Sequence, residues 1–230
     1  MVRSIVRLTF LILLSFAVHG GTIVDLRDRN GRDSQFFTDD QMARLDLAER
    51  KTYIILDYAT QDAKVVMPNR MEVLDLSGKI PSFVAGASIA DQTTLRIEIE
   101  GEGPTVAGYP TRQYKLSRNG EYCGTVLASK QALEDTGTAR TFKSLQKVAD
   151  KLADSIATLA YALSPCERAM ANTLDQVASI GAPLKSVNRQ GQVDLEVTRI
   201  RTDVGLPPNT FAIPSDYKLV TAAQKMQQVE

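Results

Sequence analysis

Two cysteines are the residues most open to chemical reading in this chain. Cys123 and Cys166 are the whole cysteine complement, and His19 is the sole histidine. Cys166 falls in the first turn of an expected helix, where the helix dipole lowers a thiol pKa, so a reactive thiol is one reading. No C-x-x-C motif or histidine stands near to support it, and an even pair favours a disulfide. Ser144-x-x-Lys147 matches the S-x-x-K of penicillin-recognising acyl enzymes, but the partner motifs S-D-N and K-T-G are missing. The helical period places both residues on a polar face. Asp25, Asp28, Asn30 and Asp33 crowd a turn, yet Leu26 and Phe37 occupy positions where a calcium loop needs oxygen ligands. Glu98 and Glu100 could pair as acid and base. Strict alternation with Leu95, Ile97 and Ile99 instead places them on the wet side of a strand. No catalytic set emerges, and the expectation is a protein that is not an enzyme.

The amino terminus explains why the histidine does not count. Arg3 and Arg7 precede an apolar run from Leu8 to Val18, and the small residues Ala17, Gly20 and Gly21 lie at and just beyond its end. This is the layout of a secretory signal peptide, and the run is too short to span a bilayer. Cleavage near Gly20 removes His19 and leaves about 210 residues, enough for one large domain or two small ones. No cysteine at that point offers a lipid anchor, so the expected destination is the periplasm, with no transmembrane segment after cleavage. An oxidising compartment strengthens the disulfide reading. The whole chain carries 27 basic and 27 acidic groups, and loss of Arg3 and Arg7 leaves two more acids than bases. That balance gives no footprint for nucleic acid. Nothing in the sequence calls for a cofactor or a metal.

The elements follow from hydrophobic period. Asn30-Gly31 joins expected strands 22–28 and 33–38, a strong hairpin signal because both residues tolerate positive φ. Further strands are expected at 42–46, 52–58, 63–67 and 71–76. Ile54, Leu56 and Tyr58 share one strand face, which suits a sheet buried on one side. The segment 80–90 carries little periodic signal. A strand at 93–100 follows, then a hairpin at Asn119-Gly120 between 111–117 and 122–127. The period then lengthens: Phe142, Leu145, Ala149, Leu152, Ile156, Leu159 and Leu163 recur at steps of three and four, an amphipathic helix of about six turns. Ser164-Pro165-Cys166-Glu167 reads as a capping box opening a second helix. Gly181 and Pro183 should end it. A last hairpin around Gln190-Gly191 leads into a strand at 193–201. Strands followed by helices and strands again make an α+β domain, a strongly bent antiparallel sheet with helices on one face.

The distal stretch Val197-Thr198-Arg199-Ile200 and Leu206-Pro207-Pro208-Asn209-Thr210-Phe211-Ala212-Ile213-Pro214-Ser215-Asp216-Tyr217 is distinctive. It resembles the C-terminal signature of exported bacterial domains of unknown function related to the periplasmic lipoprotein-carrier (LolA/LolB-like) fold. Val106-Ala107-Gly108-Tyr109-Pro110-Thr111-Arg112-Gln113-Tyr114 is similar to that family's approach to its central hairpin. The long helix pair and the cysteine pair stand outside the likeness. The resemblance implies an open half-barrel sheet whose concave face is covered by helices and shelters acyl chains or other apolar ligands.

The sequence thus predicts a signal peptide at 1–20 and one such α+β domain at 21–230, with its helix pair at about 141–180. The expected function is a periplasmic carrier or binding protein for an apolar ligand: a lipid, an acyl chain or a lipoprotein. Ile54, Leu56, Tyr58, Leu95, Ile97, Tyr114, Leu116, Leu152 and Ile156 are its candidate contacts. The alternative is an envelope protein-interaction module, a sensor or assembly factor with a filled core, which an open sheet edge or exposed apolar patch would favour.

Overall fold

The computed structural model describes residues 20–47, 51–77, 95–160, 164–171, 173–221 and 224–225. The expected export segment and the segment 80–90 lie outside them, apart from Gly20. The chain builds strands β1 (Gly21–Asp28), β2 (Asp33–Thr38), β3 (Met42–Leu47), β4 (Thr52–Asp57) and β5 (Asp62–Met67). A 3₁₀ turn (Pro68–Arg70) leads to β6 (Glu72–Asp75). Next come β7 (Arg96–Val106), β8 (Tyr109–Arg118) and β9 (Glu121–Ser129). Four helices follow: α1 (Lys130–Thr136), α2 (Ala139–Ala160), α3 (Pro165–Ala171) and α4 (Leu174–Ile180). Strands β10 (Ala182–Asn188), β11 (Val193–Val204) and β12 (Lys218–Thr221) complete the order.

Among the described residues twelve strands join one open sheet in the order β12-β6-β5-β4-β3-β2-β1-β11-β10-β9-β8-β7. This corrects the expected antiparallel half-barrel with helices over its concave face. The sheet is mixed, because β12 returns parallel to β6. Its ends, β12 and β7, do not meet. Of the four helices among the described residues, three are only seven residues long. On the sheet, helix α2 packs mainly on β4 and β5, with Val148 and Leu145 also reaching Ala43 of β3, and so covers only part of so wide a sheet.

Turn chemistry sets the hairpins as the sequence predicts. Gly31, Asn119, Gly120 and Gly191 all take positive φ at strand connections. The second helix does not run through from 165 to 180. Thr173 interrupts it, fully buried, donating its hydroxyl to the Ala169 carbonyl at 2.6 Å. The capping box forms as read: Ser164 N–H donates to Glu167 at 2.7 Å and Glu167 N–H to Ser164 Oγ at 3.3 Å. Gly181 ends α4 at φ 127°, where an added Cβ would lie 2.6 Å from the backbone of Ser129. That close approach lets β10 start directly beside β9.

The sheet is not buried on one side only. Leu56 packs with Ala43, Ala63 and Val148 on one face. Tyr53 and Ile55 pack with Val66 and Val73 on the other, under Ile213 and Tyr217. The continuous run Tyr53-Ile54-Ile55-Leu56 is the mark of a strand covered on both faces. The segment 211–217 therefore covers the second face and closes on it as a clasp. Arg44 helps fix it, donating to the Thr210 carbonyl at 2.9 Å with its guanidinium 3.9 Å from the Tyr53 ring centroid.

Candidate functional site

An apolar pocket of about 210 Å³ lies between the sheet and the junction of α1 with α2. Val24, Phe36, Ala43, Leu45, Ile54 and Leu56 supply its wall from β1 to β4. Leu184, Leu195, Val197 and Ile200 come from β10 and β11, and Thr136, Thr138, Thr141, Phe142 and Leu145 from the helical side.

Two strand irregularities shape this wall. On β11, Arg199 lies opposite Asp25 but Val197 lies opposite Leu26, so Thr198 is an extra residue. A bulge of this kind shifts the side-chain phase by one, which brings Leu195, Val197 and Ile200 to the same pocket. The Thr198 hydroxyl donates to the Asp25 carbonyl at 3.2 Å. On β10, Leu184 is the extra residue between Pro183 and Lys185, and Ala182, Pro183 and Leu184 all reach the pocket.

The threonines do not make the pocket polar, because their hydroxyls are engaged. Thr136 Oγ1 donates to the Ala132 carbonyl at 2.6 Å and lies 2.9 Å from Thr138 Oγ1. Thr141 Oγ1 lies 2.6 Å from the Tyr58 hydroxyl, which is also 2.6 Å from Thr38 Oγ1. Burial pushes the Tyr58 pKa up, against the lowering effect of those two bonds. Methyl groups and apolar side chains are left to face the space, a surface suited to an apolar group.

The predicted contact residues divide between distant parts of the sheet. Ile54 and Leu56 line the pocket, and Tyr58 braces its helical side. Leu95, Ile97 and Tyr114 line a separate cleft of about 580 Å³ near β7, across the sheet from β4. Leu116 borders a recess of about 430 Å³ beside the disulfide. Leu152 and Ile156 belong to α2, beyond the residues whose side chains are described. The pocket residues of β10 and β11 escape sequence reading, since a bulge leaves no periodic signal. Phe36 and Leu45 alternate correctly with their neighbours and could have been found.

The other candidate chemistries resolve into structure. Cys123 and Cys166 form a disulfide joining β9 to α3. Ser144 is 4% exposed, which corrects its placement on the polar face of α2, while Lys147 is exposed. The buried side of the helix runs through Thr141, Ser144 and Val148, rotated from the predicted stripe. The rotation puts the Thr141 hydroxyl against Tyr58. Asp25 pairs with Arg201 at 3.0 Å, Asp28 with Arg32 at 2.6 Å and Asp33 with Arg27 at 3.0 Å. Glu98 pairs with Arg96 at 2.8 Å, and Glu100 accepts from Gln113 at 2.8 Å. Among the described residues no group of acids, cysteines and histidines is arranged for a metal ion. No described helix is long and apolar enough to cross a membrane.

No protein-family model and no curated protein sequence matches the chain. Among solved structures it is similar to an uncharacterized conserved protein from Thermus thermophilus, with a TM-score of 0.45 and 10% identity. That match covers 87% of this chain and 90% of the other. It also resembles MucB in complex with MucA(peri), with a TM-score of 0.32 and 15% identity over 89% of this chain and 57% of MucB. The Pseudomonas aeruginosa MucA/MucB complex gives a TM-score of 0.31 at 14% identity, over 89% of this chain and 58% of that one. The chain thus spans little more than half of these MucB chains. All three likenesses lie at 15% identity or below with TM-scores under 0.5.

Proposed function

We propose that this is an exported, non-catalytic binding protein that takes an apolar group into the pocket between the sheet and the start of α2. One observation carries the reading: the wall is apolar throughout, and the hydroxyls of its threonines are bonded away from the space. Apolar surface shielded from water contributes on the order of 25 cal/mol per Å². The volume limits what enters. At about 210 Å³ the pocket is smaller than the roughly 300–1,000 Å³ of sites that enclose a whole drug-sized ligand. It suits the end of an acyl chain or another compact apolar group, with the remainder of the ligand outside. The disulfide and the basic-apolar amino terminus support export.

Titration with the fluorescent apolar probe N-phenyl-1-naphthylamine tests this. The protein should bind it, and Ile54→Trp, which fills the pocket from a half-buried position, should weaken binding at least tenfold while circular dichroism is preserved. Native mass spectrometry of protein purified from its own envelope should show a bound apolar species. Absence of probe binding together with a consistently empty protein would sink the proposal.

A further inference from the structure

An unbroken row of apolar side chains crosses the sheet from β2 to β6. Phe36 stands opposite Leu45, Leu45 opposite Ile54, Ile54 opposite Val65, and Val65 opposite Leu74. Residues directly opposite on antiparallel strands share a face, so these side chains form one line. With strands 4.7–4.9 Å apart, the line runs for about 19 Å from Phe36 to Leu74. Each member is half-buried and keeps part of its surface accessible. Phe36, Leu45 and Ile54 also line the apolar pocket, so the row carries that surface on across β5 to β6. Helix α2 sits on the neighbouring row, where Leu145 and Val148 pack with Ala43, Leu56 and Ala63. The helix thus borders the half-exposed row along one side.

A charged cluster stands at the β6 end. Glu72 lies two residues before Leu74 on the same strand, hence on the same face, and pairs with Lys225 at 2.6 Å. Lys218 of β12 stands opposite Glu72, and Arg70 lies in the turn just before β6. The hydrogen bond from Lys225, foremost, and the charges of Lys225, Arg70 and Lys218 hold the Glu72 carboxyl below its ordinary range, against the effect of burial. One carboxylate therefore answers to three cations. Arg70 and Lys218 are exposed, and neither makes an ion pair among the described residues.

We propose that the ligand is a long-chain fatty acid whose chain lies along this row from the pocket to Leu74 and whose carboxylate meets Arg70 and Lys218. The inference rests on the reading of the pocket as a site for an apolar group, and it supplies the rest of the ligand. Length agrees: the hydrocarbon core of a bilayer is about 30 Å thick, so one lipid chain reaches about 15 Å, near the span of the row. Width agrees too, since the row is one side chain broad and the pocket, at about 210 Å³, fits the end of one chain. A guanidinium and an ammonium without ion-pair partners favour an anion, and the guanidinium fork suits a carboxylate. Only one pleat repeat, about 7 Å, separates Leu74 from the position of Glu72 and Lys218. That spacing suits a carboxylate on the chain end better than a phosphate carried on glycerol.

The test is calorimetric titration of the mature chain with hexadecanoate, octanoate, hexadecanol and lysophosphatidylglycerol, each kept below its micelle threshold. Hexadecanoate should bind about tenfold or more tighter than octanoate, which cannot reach from the pocket to the cations. It should exceed hexadecanol, which lacks the charge, by a similar factor. Arg70→Glu combined with Lys218→Glu, both at exposed side chains, should weaken hexadecanoate about tenfold and shift hexadecanol far less. Leu74→Asn should weaken hexadecanoate while octanoate, whose chain stops short of β6, keeps its affinity. Failure of hexadecanoate to bind would overturn the inference; where N-phenyl-1-naphthylamine still binds, the reading of the pocket stands. Equal affinity for hexadecanoate and hexadecanol would overturn it, and so would indifference to reversing Arg70 and Lys218. Tighter binding of lysophosphatidylglycerol than of hexadecanoate would overturn it in favour of a lysophospholipid.

Discussion

The Tyr58 hydroxyl lies 2.6 Å from Thr141 Oγ1 and 2.6 Å from Thr38 Oγ1, joining the end of β4 to both helix α2 and strand β2. Both threonines are buried. Removing the phenolic oxygen leaves the Thr141 hydroxyl without this partner where water is scarce. Tyr58→Phe should therefore lower stability by ~2 kcal/mol, a lost hydrogen bond plus the cost of an unsatisfied buried group. Thr141→Ser, which keeps the hydroxyl, should cost less. Urea unfolding of the three proteins checks the order.

How far the sequence reveals this arrangement depends on the kind of signal. Local signals survive folding. Asn30-Gly31 and Asn119-Gly120 turn where positive φ is required, and Ser164 with Glu167 caps α3. Long-range relations leave no such mark. Strand β12 (Lys218–Thr221) is short and pairs with β6 across more than a hundred residues of intervening chain, so no turn residue announces it. Helix α1 follows directly on β9, with Ser129 as both last strand residue and N-cap. The stripe of α2 is misread because Thr141 and Ser144 count as polar by type yet are buried by tertiary contact. The pocket depends on the Thr198 and Leu184 bulges, which shift phase without changing composition.

Asp28 gives the chain an acid-range dependence. Its carboxylate accepts from the Arg32 side chain at 2.8 Å, the Arg32 N–H at 3.0 Å and the Asn30 N–H at 2.8 Å. These bonds, the Arg32 side chain foremost, hold its pKa down to about 2, from an ordinary value of about 3.8. Between those values the unfolded chain binds more protons than the folded one, so stability rises with pH across the window. The contribution is complete above about pH 4 and is lost as pH falls through about 2. NMR titration should place the Asp28 midpoint near 2, and Arg32→Gln should move it up. The stability difference between the natural chain and Asp28→Asn should vanish at the acid end. A constant difference from pH 5 to pH 2 would refute the assignment.

The disulfide between Cys123 and Cys166 closes a separation of 43 residues, tying α3 to β9. In the chain-entropy model a loop of that length is worth ~4 kcal/mol, as an upper figure. Replacement of both cysteines by alanine should lower stability by up to that amount. Because α3 and α4 pack on the β8 and β9 region, hydrogen exchange in the 165–180 segment should accelerate more than in β1 to β6. Uniform acceleration across the sheet would mean that the bond acts on the unfolded chain alone.

Arg44 joins the closing segment to the sheet, beside the packing of Ile213 and Tyr217. Its Nε donates to Asp46 at 2.6 Å, its Nη1 to the Thr210 carbonyl at 2.9 Å, and its guanidinium stacks 3.9 Å from the centre of the Tyr53 ring. One planar cation thus satisfies an acid, a backbone carbonyl and an aromatic face together, an arrangement lysine cannot reproduce. Arg44→Met keeps the apolar stem and removes all three interactions. The expected loss is ~2 kcal/mol, from a cation–π contact and a charged hydrogen bond in a half-buried setting. The segment from Gly205 to Tyr217 should become the first site of limited proteolysis, because its hold on Tyr53 and Ile55 is weakened. Arg44→Lys should resemble Arg44→Met in this assay. Full protection in Arg44→Lys would show that charge alone, rather than the planar fork, holds the clasp.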